Sequence, residues 1–157
     1  EAVHPMASRR KSWKTGGRRG VVMLTGKLIH PHLIEAIALC GHGSKILIAD
    51  GNYPLKLRTS GAKRIYLGLT PGTPTVTQVL DTLQSVLNFE AAVVMAPEDG
   101  REPPIFSEFQ RMLPGITLKP LDRCAFYEAC THPDVELAVS TGEQRTFSNL
   151  LLTVGCA

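Results

Sequence analysis

Short apolar runs alternate with amphipathic segments along this chain, and that alternation restricts the possible folds more than any other feature. Segment 45–50 (KILIAD) is almost entirely apolar and lies between glycines, which is typical of a strand buried on both faces. Segment 75–87 instead repeats its apolar residues at helical intervals, which predicts one buried face made of Val76, Val79, Leu80, Leu83 and Leu87. The chain thus switches between the two periods that distinguish strands from helices.

The same criteria extend the pattern over most of the 157 residues. Helices are predicted over 31–40, 75–87, 105–113 and 123–130, with Pro31 in a first turn and Asp122 as an N-cap. Strands are predicted over 45–50, 64–69, 91–95, 116–119, 135–140 and 149–154. Elements of these lengths in alternation predict a single α/β domain, a three-layer α/β/α arrangement around a mostly parallel sheet.

The amino-terminal segment differs from the rest in charge. Residues 1–20 carry six basic side chains and one acidic one, so the remaining eleven basic and thirteen acidic side chains leave the rest slightly acidic. We expect residues 1–22 to be a disordered basic tail, left by an expression vector or an upstream-extended reading frame, and residues 23–157 to form the folded domain. Because the excess of basic over acidic side chains is confined to this tail, nucleic acid is not an expected partner.

Several functional classes lack their signatures in the sequence. No run of eighteen apolar residues is present, so no membrane partner is expected. The four cysteines form no Cys-x-x-Cys pair, and we interpret them as reduced packing residues in a cytoplasmic protein. The sequence has neither a glycine-rich phosphate loop nor a His-Glu-x-x-His motif, which argues against nucleotide binding and against a metal site.

Two residues that flank the first predicted strand are candidates for chemistry. Asp50 ends the strand, and ligands of parallel α/β sheets bind beyond the carboxyl ends of strands. An acid there is either a ligand-binding carboxylate or a turn-forming residue. His42 lies in Gly-His-Gly before the strand and suits proton exchange near neutral pH, although a loop histidine is also a common surface residue. Because the strand separates them, the two residues need not meet within one subunit.

Two polar positions in the second half of the chain suit the binding of hydroxyl groups. Arg123 and Tyr127 share one helical face with Phe126 and Cys130, which makes Arg123 either a hydroxyl-binding group or a surface ion-pair partner. Asn149 opens the last predicted strand with an amide that both donates and accepts hydrogen bonds, which suits a sugar and also suits capping of a strand end.

Three segments together resemble the D-ribose pyranase / L-fucose mutarotase family: LCGHGSKILIADGNYP (39–54), DRCAFYEA (122–129) and the TGE…SNLLL ending (141–152). The likeness runs from about Met23 to the end of the sequence, and the helix segment Arg-x-Ala-Phe-Tyr-Glu is closer to the fucose mutarotase branch. The resemblance implies an α/β fold, no cofactor, and interconversion of the anomers or ring forms of a free monosaccharide. It also implies a homo-oligomer, built as a ring or as stacked rings.

The resemblance further implies roles for individual residues. His42 is the expected proton donor, and Asp50 and Arg123 are expected to contact the sugar, with Tyr127 in the same substrate-binding set. A Tyr-small-Asn triplet of the family falls on Phe147, Ser148 and Asn149. Two positions depart from the family pattern: Phe147 lacks the hydroxyl of the usual tyrosine, and Ser44 replaces an aspartate that is frequent in the fucose branch.

Mutarotation matches such a set of side chains. A proton must reach the ring oxygen while another leaves the anomeric hydroxyl, and one histidine is able to serve both directions. Carboxylate, guanidinium and amide groups hold the neutral hydroxyls. Two other interpretations remain: a non-catalytic sugar-binding or regulatory relative, motivated by Phe147, and an α/β scaffold that binds a nucleotide or phosphate, which the missing phosphate loop disfavours.

Overall fold

The computed structural model describes residues 24–157, so the expectations for the basic tail 1–22 lie outside the described residues. The helices are α1 (Pro31–Leu39), α2 (Val76–Gln84), α3 (Ile105–Met112) and α4 (Arg123–Thr131). The strands are β1 (Lys45–Ala49), β2 (Lys63–Tyr66), β3 (Phe89–Met95), β4 (Leu118–Leu121), β5 (Val135–Ser140) and β6 (Leu150–Val154). No helix between residues 24 and 157 combines the length and hydropathy that a bilayer crossing needs.

The six strands form one sheet in the order β2-β5-β1-β6-β3-β4. Strand β5 is parallel to β2 and β1, and β3 is parallel to β4, whereas β6 runs antiparallel to both β1 and β3. The sheet is therefore mostly parallel, as predicted. The ends of β1 to β5 meet the start of β6 at one side of the sheet, here named the carboxyl edge, and the opposite side is named the amino edge.

Alternating side chains of the central strands contribute to two cores on opposite faces of the sheet. In β1, Ile46 and Ile48 belong to the core under α1, α2 and α3, while Leu47 and Ala49 belong to the other core. That second core is closed by α4 and by the loop 51–62, whose buried members are Tyr53, Leu55, Ala62, Phe126 and Cys130. Helices on both faces confirm the predicted three-layer α/β/α arrangement.

The helices begin where local chemistry satisfies their first backbone N–H groups. Thr75 caps α2 by accepting the N–H of Gln78, and the Gln78 side chain accepts the N–H of Thr75 in return. Asp122 caps α4, as predicted, by accepting the N–H of Ala125 at 2.9 Å. The predicted apolar stripe of α2 is buried through Val76, Val79, Leu80 and Leu83.

Some element boundaries differ from the predicted ones for identifiable reasons. Strand β2 ends at Tyr66, because Leu69 donates its N–H to Thr73 in a turn that leaves the sheet. Strand β4 covers 118–121 and includes Pro120, which the sheet tolerates because β4 is an edge strand. Helix α2 ends at Gln84, where Ser85 and Val86 donate to carbonyls only three residues back in the chain.

Candidate active site

The carboxyl edge holds a buried polar pair made by Asp50 and Asn149. The Asn149 amide donates to Asp50 Oδ2 at 3.2 Å, and its oxygen accepts the Asp50 N–H at 2.8 Å. The other carboxylate oxygen of Asp50 accepts the N–H of Asn52 at 3.0 Å. These bonds join the end of β1 to the start of β6, because the two strands are antiparallel neighbours. The structure thus brings together two of the residues predicted to hold a sugar.

Burial affects the protonation of Asp50. The residue is 3% exposed, and this desolvation raises the pKa of its carboxyl. Hydrogen bonds from the backbone of Asn52, Ser148 and Tyr53 and from the Asn149 amide oppose that rise.

Phe147 and Ser148 directly precede Asn149 in the chain, but their side chains occupy different surroundings. Phe147 is half-buried, packs against the core of the α4 face, and has a φ of 59°, in the left-handed region that is uncommon for a bulky residue. Ser148 is fully buried, and its hydroxyl has no hydrogen-bond partner within residues 24–157. Such an unpaired hydroxyl costs stability, because it has lost its contacts with water.

We expect Ser148→Ala to leave the free energy of unfolding unchanged or to raise it by about 1 kcal/mol, because alanine removes an unpaired polar group. Thr141→Val is the matched comparison, since the buried Thr141 hydroxyl donates to Ala49 O at 2.8 Å and accepts the N–H of Glu143. That change is expected to cost about 1–3 kcal/mol. Urea denaturation measures both, and a large loss in Ser148→Ala would mean that its hydroxyl is bonded in solution.

A cavity of about 700 Å³ opens at the same carboxyl edge, but neither Asp50 nor Asn149 lines it. Arg123, at the first position of α4, and Phe147 both line it, together with the loop 96–104 that follows β3. Within the described part of the chain, the exposed Arg123 guanidinium has no ion-pair or hydrogen-bond partner, so the surface ion pair considered for it is absent. Its donors are available to a ligand in the cavity.

Tyr127 lies one turn further along α4, against the loop 51–62. Its ring meets Tyr53 edge to face at 5.4 Å between centroids, and the Arg58 guanidinium covers it at 4.9 Å. Burial raises the pKa of the Tyr53 hydroxyl well above its ordinary value. No local pattern assigns Tyr53 or Arg58 a function, because their partner Tyr127 lies about 70 positions away in the chain.

Gly142 allows two loops to meet at the carboxyl edge. Its N–H donates to Pro74 O at 2.9 Å, and its carbonyl accepts the N–H of Gly72. A Cβ at this position would lie 2.6 Å from Thr70 O and still closer to Thr73 O, and both distances are shorter than real Cβ atoms show. Only a glycine therefore fits between the β5–β6 loop and the turn that precedes α2.

His42 lies at the opposite side of the sheet from Asp50. It precedes β1 and is 60% exposed, and its Nε2 is 3.1 Å from Glu90 Oε2 near the start of β3. Strand β1 alone spans about 17 Å at about 3.3 Å per residue, so the two residues do not meet within one copy of the chain. Glu90 was not anticipated from the sequence, where it is an unremarkable acid 48 positions away.

The carboxyl edge also holds a network of ion pairs that the sequence did not predict. The buried Glu143 binds Arg145, and Arg145 also binds Glu108 on α3. Glu143 lies in the Thr-Gly-Glu segment that sequence analysis quoted, but only the folded chain brings Glu108 to it. Among residues 24–157, no group of three or more His, Cys, Asp or Glu side chains is arranged to hold a metal ion.

Comparisons with known proteins identify relatives of this chain. Residues 23–157 match the model of the RbsD / FucU transport protein family. A D-ribose pyranase of Symbiobacterium thermophilum is 30% identical over 128 residues, covering 82% of this chain and 94% of that protein. A D-ribose pyranase of Proteus mirabilis is 32% identical over 139 residues, covering 85% and 98% of the two chains.

Solved structures show the same fold. Bacillus subtilis RbsD, determined in complex with D-ribose, superposes with a TM-score of 0.75 at 23% identity and covers 87% of this chain and 99% of its own. The fucose mutarotase of Streptococcus pneumoniae, determined in complex with L-fucose, superposes with a TM-score of 0.67 at 25% identity, covering 82% and 94%. Relatives with both sugar names thus match the chain, and a preference for L-fucose stays a prediction.

Proposed function

Because the chain belongs to the RbsD / FucU transport protein family, we propose that it is a mutarotase that interconverts the anomers of L-fucose or a closely related free sugar. The observation that carries this proposal is the buried Asp50–Asn149 pair at the carboxyl edge, where Phe147, two residues before Asn149, lines a cavity together with Arg123. These groups bring acceptors, amide donors and a guanidinium to one edge of the sheet.

The proposed chemistry needs one proton-transfer group and several holding groups. Asp50 and Asn149 hold ring hydroxyls, Arg123 donates from the first turn of α4, and the Phe147 ring packs against an apolar face of the sugar. His42 protonates the ring oxygen while water takes the proton of the anomeric hydroxyl, and the bond between C1 and the ring oxygen breaks to give the open-chain aldehyde. After C1 has rotated, the same steps run in reverse and close the ring on the other face. Glu90, 3.1 Å from the His42 ring, orients the imidazole.

The position of His42 leads to a proposal about assembly. Since His42 and Asp50 lie at opposite edges of the sheet, a complete site forms when the amino edge of one copy meets the carboxyl edge of the next. Such head-to-tail contact is heterologous, and it generates a closed ring when the rotation between copies closes. The homo-oligomer implied by the family resemblance therefore becomes a condition for activity in this proposal.

Exposed apolar residues near both edges support this contact. Leu39 and Val86 lie near the amino edge and are 76% and 48% exposed, and Tyr66 and Leu69 lie at the carboxyl edge and are 63% and 83% exposed. Large apolar side chains at these exposures favour burial against another surface. The pairing of one apolar edge with the other gives them that surface while bringing His42 towards the next copy's Asp50.

Exchange spectroscopy by NMR on free sugars tests the proposed function. We expect the protein to accelerate the exchange between α and β anomers, with L-fucose fastest in a panel that includes D-ribose and several common hexoses. A faster rate on D-ribose would correct the sugar while keeping the reaction. If the protein accelerates no sugar in the panel at catalytic concentration, the proposed activity is wrong.

A second candidate function is sugar binding without catalysis, and Phe147 favours it because it carries no hydroxyl. We expect Phe147→Tyr to increase the exchange rate by about 5- to 10-fold, since the added hydroxyl donates one more hydrogen bond to the sugar. Phe126→Tyr places a hydroxyl in the buried core instead and is the control for nonspecific effects. A wild-type protein that binds sugar without exchange, and gains exchange only as Phe147→Tyr, would establish the second candidate.

A further inference from the structure

Glu143 is a buried carboxylate whose oxygens are both occupied. Its Oε1 accepts the backbone N–H and the Nε–H of Arg145, at 3.2 and 3.0 Å. Its Oε2 accepts Arg145 Nη2 at 3.0 Å and the N–H of Val76 in the first turn of α2. Burial opposes ionisation, but the bonds from Arg145 hold the pKa of Glu143 below its ordinary value. The bidentate pair therefore fixes the guanidinium of Arg145 in one orientation.

Arg145 keeps unused donors in that orientation. Its Nη1 donates to Glu108 Oε1 at 2.7 Å, so the two carboxylates engage three of the five guanidinium N–H groups. One N–H remains on each terminal nitrogen. The side chain is 42% exposed and lines the cavity that Arg123 and Phe147 also line. A rigid pair of donors thus faces the space assigned to the sugar.

The surrounding charge decides which acceptors suit these donors. The bonds to Glu143 and Glu108 raise the pKa of Arg145 further above its ordinary value, so the group stays cationic. Two carboxylates and one guanidinium nevertheless leave this cluster with a net charge of about −1. The rest of the cavity lining adds two positive and three negative side chains, so the cavity as a whole also stays acidic. An anionic sugar acid or sugar phosphate therefore gains no net attraction, whereas neutral hydroxyl oxygens accept the directed N–H groups of Arg145.

The chain connects this cluster with the pair that holds the sugar. Arg145 is two residues before Phe147 and four before Asn149, which bonds to Asp50. We propose that Arg145 is a specificity-determining residue that donates hydrogen bonds to hydroxyls of the bound sugar and selects neutral monosaccharides. This inference rests on the proposed function for the identity of the ligand class. It assigns the discrimination among sugars to a residue outside the predicted site.

Binding measurements with monodeoxy sugars test the contact. Dissociation constants from ligand-observed NMR titration are compared for L-fucose and its 2-, 3- and 4-deoxy derivatives, with wild-type protein and with Arg145→Gln. In wild-type protein, we expect removal of the hydroxyl bound by Arg145 to weaken binding by about 10-fold or more. With Arg145→Gln, the binding of L-fucose should weaken by the same factor. The deoxy sugar that lacks this hydroxyl should then bind the variant as well as L-fucose does.

Two further variants test whether Arg145 contacts the sugar itself or only stabilises the buried Glu143. Arg145→Gln leaves Glu143 buried without its partner, so Glu143→Gln/Arg145→Gln removes both charges and is expected to show the same loss of discrimination. Arg101→Gln is the matched control, because Arg101 lines the same cavity but is 86% exposed and is paired with Asp99 on the same loop, not with a buried carboxylate. We expect it to keep wild-type discrimination. A double variant that regains wild-type discrimination would show that Arg145 acts only by supporting Glu143, and the inference would be wrong.

The outcome is independent of catalysis. The inference would also be wrong if removal of each hydroxyl from the sugar weakened binding equally in wild-type protein and in both Arg145 variants. This outcome does not depend on the rates of anomer exchange. Conversely, wild-type protein that binds sugars with the expected hydroxyl dependence but accelerates no anomer exchange would overturn the mutarotase proposal and leave the role of Arg145 supported. Tighter binding of L-fuconic acid or a sugar phosphate than of L-fucose to wild-type protein would contradict the selection of neutral sugars.

Discussion

His42→Ala is expected to slow sugar anomer exchange by about 10²- to 10⁴-fold, because it removes the proposed proton-transfer group. The fold should survive the change, since the side chain is 60% exposed and contacts the carboxylate of Glu90, which is also exposed. Exchange NMR with L-fucose measures the rate, and urea denaturation should show a change of less than about 0.5 kcal/mol in the free energy of unfolding. A variant with wild-type exchange would remove His42 from the mechanism.

Mixing two inactive variants tests whether copies share the site. A ring assembled at random from His42→Ala and Asp50→Asn chains, mixed 1:1, should hold both native residues in about a quarter of its sites, since each site takes one residue from each neighbour. We therefore expect recovery of about a quarter of the wild-type rate. Unmixed samples of each variant are the controls. Mixed rings, verified by native mass spectrometry, that stay inactive would show that the two residues do not act across an interface.

Gly142→Ala is expected to lower the free energy of unfolding by about 3 kcal/mol, because its Cβ would overlap backbone atoms of Thr70 and Thr73. Backbone carbonyls in a hydrogen-bonded turn have little freedom to move away, unlike the end of a flexible side chain. The shift would also separate the β5–β6 loop from α2, which it reaches through Glu143. We therefore expect weaker sugar binding as well, measured on the fraction that remains folded.

Gly61→Ala is the matched control for this prediction. A Cβ at Gly61 meets no atom within 4 Å, and its backbone is outside the left-handed region. Its free energy of unfolding should change by less than about 0.5 kcal/mol in the same urea denaturation. If Gly142→Ala were as stable as Gly61→Ala, the turn 70–73 would have to be free to move in solution, and the close approach would not constrain the fold.

Local patterns in the sequence were sufficient to predict the elements of this fold. The helical stripe of α2, the apolar run of β1 and the Asp122 cap depend on residues a few positions apart, and each is observed as predicted. Strand order and the direction of β6 depend on contacts between distant segments, which one sequence does not encode in any local pattern. Pro120 is an example of this dependence on distant contacts. A proline is compatible with β4 because β4 is the outermost strand of the sheet, and the strand order is needed to know this.

The candidate site divides in the same way. The strand-end rule placed Asp50 at the carboxyl edge, and the amide at the start of the last predicted strand singled out Asn149, which bonds to Asp50 across 99 positions of sequence. His42 precedes the strand that Asp50 follows, so the separation of the two residues follows from strand length. Arg145 and Glu108 were not predicted, because an exposed-looking arginine acquires its fixed orientation only from carboxylates that folding brings to it.

The insertion of β6 between β1 and β3 has a consequence for how the protein is synthesised. Until β6 leaves the ribosome, the nascent chain contains two half-sheets, β2-β5-β1 and β3-β4, each with an open edge that invites pairing with other chains. Asn149, at the start of β6, completes the polar pair with Asp50 at that same moment. Closure of the sheet and completion of the candidate site are thus expected to be one event in biosynthesis, and a chain arrested before residue 149 is expected to present open strand edges instead of a partial site.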